Sequence, residues 1–213
     1  MKITRFKNLF MLCTLLVFST SCYSSVVQKN NKMIDSNLSK ATFGGGCFWC
    51  TEAIFQELKG VDTVISGYMG GQTLNPTYKE VCSGISGHAE VIHIVYDSTL
   101  VSYATLLEIF WKTHDPTTLN RQGADAGTQY RSVVFYYDEE QKNVAGDLKK
   151  ELGNAQIWSD PIVTEISEAS TFYPAEEYHQ NYYKENGGSN GYCRVVITPK
   201  VEKFKKVFSA YLK

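Results

Sequence analysis

Residues 44–50 read Gly44-Gly45-Gly46-Cys47-Phe48-Trp49-Cys50. A short stretch that can extend, Lys40-Ala41-Thr42-Phe43, precedes them. Thr51-Glu52-Ala53-Ile54-Phe55-Gln56-Glu57-Leu58, with helical spacing, follows. The segment therefore predicts a strand, a glycine turn and a helix start. Glycines carry no Cβ, so the chain can bend sharply here and leave room for a ligand against the main chain. Cys47 falls at or just before the first helical turn, where free N–H groups and the positive end of the peptide dipoles favour a thiolate. Phe48 and Trp49 follow at once. A thiol at a helix start, walled by two large aromatic side chains, has the pattern of a nucleophile beside an apolar pocket.

Outward from this segment, helices and strands interleave. Gly60 ends the first helix, residues 61–66 read as a strand, residues 67–71 as a bend, and Asn75-Pro76-Thr77 as a turn. Residues 88–97 alternate strongly and predict a strand. Residues 103–112 have helical spacing with Ser102 placed to cap them. A strand over 129–137, a charged helix over 138–152, a further strand over 161–167, a helix over 175–185 and a short extended piece over 195–198 follow. Pro199 opens a last amphipathic helix running to Leu212, with Val201, Phe204, Val207, Phe208 and Tyr211 in one apolar stripe that packs on the domain. This mixture predicts a two-layer α/β or α+β domain.

The chain has 213 residues, enough for one domain with a real core. Its first 22 residues differ in kind. Lys2, Arg5 and Lys7 form a basic start, residues 9–18 are almost wholly apolar, and Ser19-Thr20-Ser21 places small residues before Cys22. The apolar run is too short to span a bilayer and fits a signal peptide. Export is therefore expected, to the periplasm or cell envelope, with either plain cleavage or a lipid anchor on Cys22. Residues 23–40, rich in Ser, Asn and Lys, read as a flexible linker, and residues 41–213 as the domain. Loss of Lys2, Arg5 and Lys7 would take the net charge from minus one to minus four, with no basic run left for nucleic acid. Four of the six cysteines, Cys47, Cys50, Cys82 and Cys193, fall in the domain. Cys47 and Cys50 are spaced for redox or metal chemistry rather than for a structural bridge.

Other residues invite a role, each beside a plainer reading. Glu90 shares one strand face with Ile92, Ile94 and Tyr96. A carboxyl buried there would be raised in pKa and able to act as an acid, although a strand end is often wet. Residues 120–130 form a polar, glycine-rich loop in which Asp125 can orient a water or a hydroxyl, or simply make a turn. Tyr78 and Tyr130 can be core-edge tyrosines, and Trp49 can be core.

Taken together these segments resemble one family. The resemblance rests on Gly46-Cys47-Phe48-Trp49, Gly67-Tyr68-Met69-Gly70-Gly71, Asn75-Pro76-Thr77-Tyr78-Lys79-Glu80-Val81-Cys82-Ser83-Gly84 and Gly87-His88-Ala89-Glu90-Val91. Gly127-Thr128-Gln129-Tyr130-Arg131-Ser132, Ala175-Glu176-Glu177-Tyr178-His179-Gln180 and Gly191-Tyr192-Cys193 continue it to about residue 198. The chain is similar to the A-type methionine sulfoxide reductases, the peptide-methionine (S)-S-oxide reductases. That resemblance implies a two-layer α/β (α+β) sandwich with a ferredoxin-like core, a mixed sheet, flanking helices and long loops. It implies that Cys47 attacks the sulfoxide sulfur, that Glu90 protonates the oxygen, and that Tyr78 and Tyr130 donate hydrogen bonds to it. Asp125 would position a water, while Phe48 and Trp49 would enclose the S-methyl group.

Attack would leave a sulfenic acid on Cys47, which condenses with a second thiol to a disulfide. The resemblance places a resolving cysteine at Cys193, in a glycine-rich stretch able to swing inward. Cys50, one helical turn from Cys47, is the other candidate, and many family members carry Gly there. Cys193 is favoured, and a relay through both thiols stays open. Cys82 reads as a buried small hydrophobe. No metal or other cofactor is implied. The implied partners are methionine sulfoxide, free or in proteins, and a thioredoxin-like dithiol reductant, and the chain is expected to act as a monomer. Two rival readings remain: a thioredoxin-like disulfide oxidoreductase built on Cys47 and Cys50, and a surface binding module whose four thiols hold zinc.

Overall fold

Alternation along residues 89–97 decides how the domain is layered. In the computed structural model, which describes residues 37–213, these residues form strand β3 (Ala89–Asp97). Glu90, Ile92, Ile94 and Tyr96 turn toward one face and are buried there, while Ala89 and Val91 face the other way. β3 lies between β1 (Leu38–Gly45) and β2 (Val61–Met69), antiparallel to both. Two-residue strands β4 (Arg121–Gln122) and β5 (Asp125–Ala126) make a separate hairpin. β6 (Ser132–Tyr136) pairs antiparallel with β1 and parallel with β7 (Glu165–Glu168), and β8 (Tyr173–Pro174) closes the far edge on β2. The sheet order is β7-β6-β1-β3-β2-β8.

Helix α1 (Phe48–Phe55) connects β1 to β2. Short α2 (Tyr78–Cys82) lies between β2 and β3, and α3 (Tyr103–Thr113) leads from β3 toward β6. The four central strands, in order β6-β1-β3-β2 with every neighbour antiparallel and with α1 and α3 as crossovers, form two interleaved βαβ units. That is the ferredoxin-like arrangement expected from the resemblance. α4 (Glu139–Asn154), α5 (Tyr182–Asn186) and α6 (Thr198–Val207) complete the helices. The main core joins one sheet face to the long helices through Phe43, Phe55, Ile92, Phe110 and Phe204. A small second cluster, Met69, Val91, Val133 and Phe135, is covered by Ala169 and Phe172. Among the described residues no helix is long and apolar enough to cross a membrane.

Several local expectations are corrected. β1 begins at Leu38, so residues 38–40 belong to the sheet and not to the linker, because they pair with residues 95–97 of β3. The signal peptide and the rest of the linker lie outside the described residues. β6 starts at Ser132. Gln129 and Tyr130 instead sit in a 3₁₀ turn, Thr128–Tyr130, entered through Gly127 at φ 146°. The helix expected over 175–185 is broken: a 3₁₀ turn, Glu177–His179, is followed by Asn181 in the left-handed region at φ 53°. Tertiary hydrogen bonds take its place. The Gln180 amide caps the edge of β2, donating to Ser66 O and Ala175 O at 2.9 Å each and accepting from Ser66 N at 3.0 Å. Residues 195–198 are not extended either. A π-helical turn, Cys193–Ile197, runs directly into α6, its start held by Asn190 Oδ1 on the N–H groups of Tyr192 and Cys193. The α6 stripe packs through Val201, Phe204 and Phe208, but Val207 and Tyr211 are exposed.

Candidate active site

β1 hands the chain to α1 through Gly46, whose φ of 89° and close approach to Gln122 exclude a side chain; a Cβ there would lie 2.6 Å from that residue. Gln122 is itself fixed by hydrogen bonds to Asp115 N at 3.1 Å and Asp115 O at 3.0 Å. Cys47 is thereby the N-cap of α1 and is buried. The first free N–H of the helix, that of Phe48, points at Glu90 Oε2, 3.1 Å away. Glu90 is 2 % exposed. Burial pushes its carboxyl up to about 8, opposed by the Phe48 N–H and reinforced by Asp125 and Cys50. The strand-face anomaly in the sequence thus marks a neutral acid at the helix start.

The sulfur gains less from that helix start than its position predicts. The hydrogen bond with Cys50, then burial and the charge of Glu90, hold the Cys47 thiol well above its ordinary value, and only the Trp49 N–H lowers it. The dipole end is spent on Glu90. Cys50, one turn on, is brought down to about 7, first by the hydrogen bond from Cys47 and, against burial, by Lys200 and Tyr192. Of the two sulfurs, the proton is thus biased toward Cys47 and the negative charge toward Cys50.

The remaining expected residues converge on this pair. Tyr78, at the start of α2, and Tyr130, in the 3₁₀ turn, both stand within reach of the Glu90 charge. Burial raises both phenols, Tyr78 further through its hydrogen bond with Cys82, so both stay protonated as donors. α2 is positioned by a capping box in which Thr77 and Glu80 satisfy each other's backbone N–H groups. Asp125, at the hairpin, accepts from Tyr192 Oη at 2.7 Å, so the hydroxyl it orients belongs to the protein. Phe48 is fully buried against Tyr68 and His179, with ring centroids 5.9 and 5.1 Å away. Trp49 is half-buried, stacked on Tyr182 at 3.6 Å, with its indole N–H donating to His179 Nδ1 at 3.2 Å.

Cys193 is buried at the start of the π turn, close enough to Cys50 to feel its charge. Cys82 is exposed rather than buried, because α2 is a surface helix with only Val81 turned inward. All four thiols are free. Among the described residues no three His, Cys, Asp or Glu side chains gather as a metal site requires, so the zinc reading has no ligand set to rest on.

Sequence reasoning missed the residues that brace this site. Buried Glu52 accepts from Asn181 N at 3.0 Å and Tyr182 N at 3.2 Å, tying the strained loop to α1 and holding Tyr182 on Trp49. Its signal was present, since Glu52 lies among apolar neighbours on α1, but its partners are about 130 positions away. Glu176 accepts from Tyr68 Oη at 2.8 Å and Tyr78 N at 2.9 Å, joining the 3₁₀ segment to β2 and α2.

The profile of the family described as peptide methionine sulfoxide reductase matches residues 39–212. The chain belongs to that family. It is 55 % identical over 175 residues to the peptide methionine sulfoxide reductase MsrA of Chromobacterium violaceum, covering 82 % of this chain and 99 % of that one. Against the Deinococcus radiodurans MsrA the identity is 53 %, over 82 % of this chain and 84 % of the relative. Among solved structures, reduced Mxr1 from Saccharomyces cerevisiae superposes with a TM-score of 0.67 at 32 % identity, over 74 % of this chain and 90 % of that one. Methionine sulfoxide reductase A of Corynebacterium diphtheriae gives 0.63 at 34 % identity, over 71 % and 76 %. As a peptide-methionine (S)-S-oxide reductase, the protein carries out thiol-dependent reduction of methionine sulfoxide to methionine, a repair of oxidised proteins.

Proposed function

We propose that Cys47 takes the sulfoxide oxygen, Glu90 manages its proton, and Cys50 is the thiol that first resolves the product. The observation that carries this reading is the hydrogen-bonded Cys47–Cys50 pair at the start of α1, beside a Glu90 that is neutral at pH 7. The sulfoxide oxygen is bound by the Tyr78 and Tyr130 hydroxyls, and its S-methyl group lies against Phe48 and Trp49. Glu90 gives its proton to the oxygen, which makes the substrate sulfur electrophilic, and regains one from the Cys47 thiol as that sulfur attacks. The balance is Cys47–SH plus sulfoxide to Cys47–SOH plus thioether. Cys50 then displaces the hydroxyl and forms the disulfide. Buried Cys193, near Cys50, is the next partner in a relay. Two electrons and two protons from a thioredoxin-like dithiol protein restore the enzyme, with no other cofactor.

The test uses the reduced enzyme with the separate S and R epimers of a blocked methionine sulfoxide and dithiothreitol. Product from the S epimer alone is expected. Reduction of the R epimer alone, or of neither epimer by enzyme whose thiols titrate as reduced, would overturn the reading. With thioredoxin as reductant, Cys50→Ser should release one methionine per enzyme and then stop. Cys193→Ser should still form the Cys47–Cys50 disulfide. Full thioredoxin-driven turnover of Cys50→Ser would remove Cys50 from the resolving role.

We further propose that the enzyme is exported and lipid-anchored through Cys22, so that its substrates are oxidised envelope proteins and its reductant stands on the same side of the membrane. The basic start, the short apolar run and the small residues before Cys22 support this. Fractionation of cells producing the full chain should find it in the envelope, with Cys22→Ala released to the soluble periplasmic fraction. Full-length protein confined to the cytoplasm would refute export, and Cys22→Ala that stays with the membrane would refute the anchor.

A further inference from the structure

One full positive charge stands against a sulfur of the reacting pair, and it comes from outside every motif quoted above. Lys200, in the first turn of α6, is half-buried and holds its Nζ 3.9 Å from Cys50 Sγ. Among the described residues it has no carboxylate within ion-pair reach. On another side of the same sulfur, Tyr192 Oη stands 4.0 Å away and also favours the thiolate, though Asp125 competes for its hydrogen. Around Cys50 the titratable groups are thus Cys47, Tyr192, Asp125, Glu90, Cys193 and Lys200. Negative charge on Asp125, or on Glu90 once ionised, opposes a thiolate, whereas Lys200 favours one.

The surroundings of Lys200 strengthen that preference. It lines a 300 Å³ cavity with Lys112, Lys203, His114 and Asp115. Lys112 is paired with Glu108, and burial pushes His114 down to about 4, so His114 is uncharged at neutral pH. Asp115 Oδ1 is engaged by the Thr117 N–H and hydroxyl. Among the described residues, Cys50 Sγ is the acceptor this ammonium meets.

We propose that Lys200 is an electrostatic residue of the resolving step: its ammonium keeps Cys50 as the thiolate that attacks the Cys47 sulfenic acid. The proposal rests on the reading of Cys50 as the resolving thiol. In that step the Cys50 thiolate forms the S–S bond and the S–O bond of Cys47 breaks. The hydroxide leaves as water with one proton taken from the Glu90 carboxyl. Cys47 is reduced from the sulfenic state to the disulfide state as Cys50 is oxidised to it. The position of Cys50 near 7, with Lys200 among its causes, agrees with this assignment.

Two measurements on Lys200→Met and Lys200→Arg test it. The first is the pH titration of ultraviolet thiolate absorbance in the reduced enzyme without substrate, with the Cys50→Ser trace subtracted to isolate Cys50. The second is rapid quench of a single turnover on blocked methionine S-sulfoxide, counting methionine and disulfide in the same samples. In Lys200→Met the apparent Cys50 pKa should rise by about one unit, and disulfide formation at pH 7 should slow about five-fold relative to methionine release, as the thiolate fraction falls. Lys200→Arg should restore both. An unmoved titration overturns the proposal and leaves the resolving role of Cys50 intact. A shifted titration with an unchanged disulfide rate also overturns it. Cys50→Ser that forms a Cys47–Cys193 disulfide at the wild-type rate removes the resolving role, and the proposal with it. Lys200→Gln serves in place of Lys200→Met should the apolar end unfold the chain.

Discussion

Cys47→Ser should lose methionine sulfoxide reduction by on the order of 10⁵-fold or more, without loss of fold. The reason is chemical before it is electrostatic. Sulfur takes up the substrate oxygen by passing to the sulfenic state, and a serine oxygen has no comparable state. Serine is also close to cysteine in size, and Cys47 makes its fold contribution through its backbone as the N-cap of α1, so the packing of Phe48 and Ile54 should survive. The measurement is a single-turnover assay with mass spectrometry of every cysteine. Methionine produced by Cys47→Ser, with an oxidised Cys50, would move the nucleophile one turn along the helix and overturn the assignment.

Glu90→Ala should lower kcat/KM about 10³-fold, and Glu90→Gln clearly less. The alanine variant leaves the Phe48 N–H without its acceptor and the sulfoxide oxygen without its acid, with only the Tyr78 and Tyr130 hydroxyls to donate to it. A glutamine can still accept from Phe48 N–H and point an N–H at the oxygen, but it has no proton to give. Equal rates for the two variants would refute the acid role. The pH dependence follows from the direction of the shift. Glu90 is raised from 4.5 to about 8 by burial, so the acid form is filled at neutral pH and kcat should fall as pH rises through about 8. Between those two values the folded chain holds a proton that the unfolded chain has lost, so this group also makes stability decline with rising pH. Glu90→Gln should flatten both slopes, and a wild-type alkaline limb in that variant would assign the limb to another group.

Local pattern carried much of the architecture because its causes are local. The period-two run in β3, the Ser102 cap of α3 and the Asp138 cap of α4 each act within a few residues, and each element appears close to where its pattern puts it. Local pattern fails where distant groups outweigh local propensity. Residues 175–185 have helical spacing, yet Gln180 serves the edge of β2 and Glu52 claims the N–H groups of Asn181 and Tyr182. Residues 195–198 are rich in β-branched side chains, yet they sit in a π turn continuous with α6.

The same division runs through the site. Residue type and spacing are enough to place a cysteine at a helix start behind a glycine turn, a carboxyl on a strand face with isoleucines, and aromatic residues beside the thiol. Its ordered motifs determined the family. The charge states follow from packing instead. Cys47 is held as a thiol first by its hydrogen bond with Cys50 and then by burial, while Cys50 is eased toward a thiolate first by that same bond and then by a lysine 150 positions away. Charge states depend on burial and on distances in space, and those are set by how β3, α1 and α6 pack, which no spacing along the chain encodes.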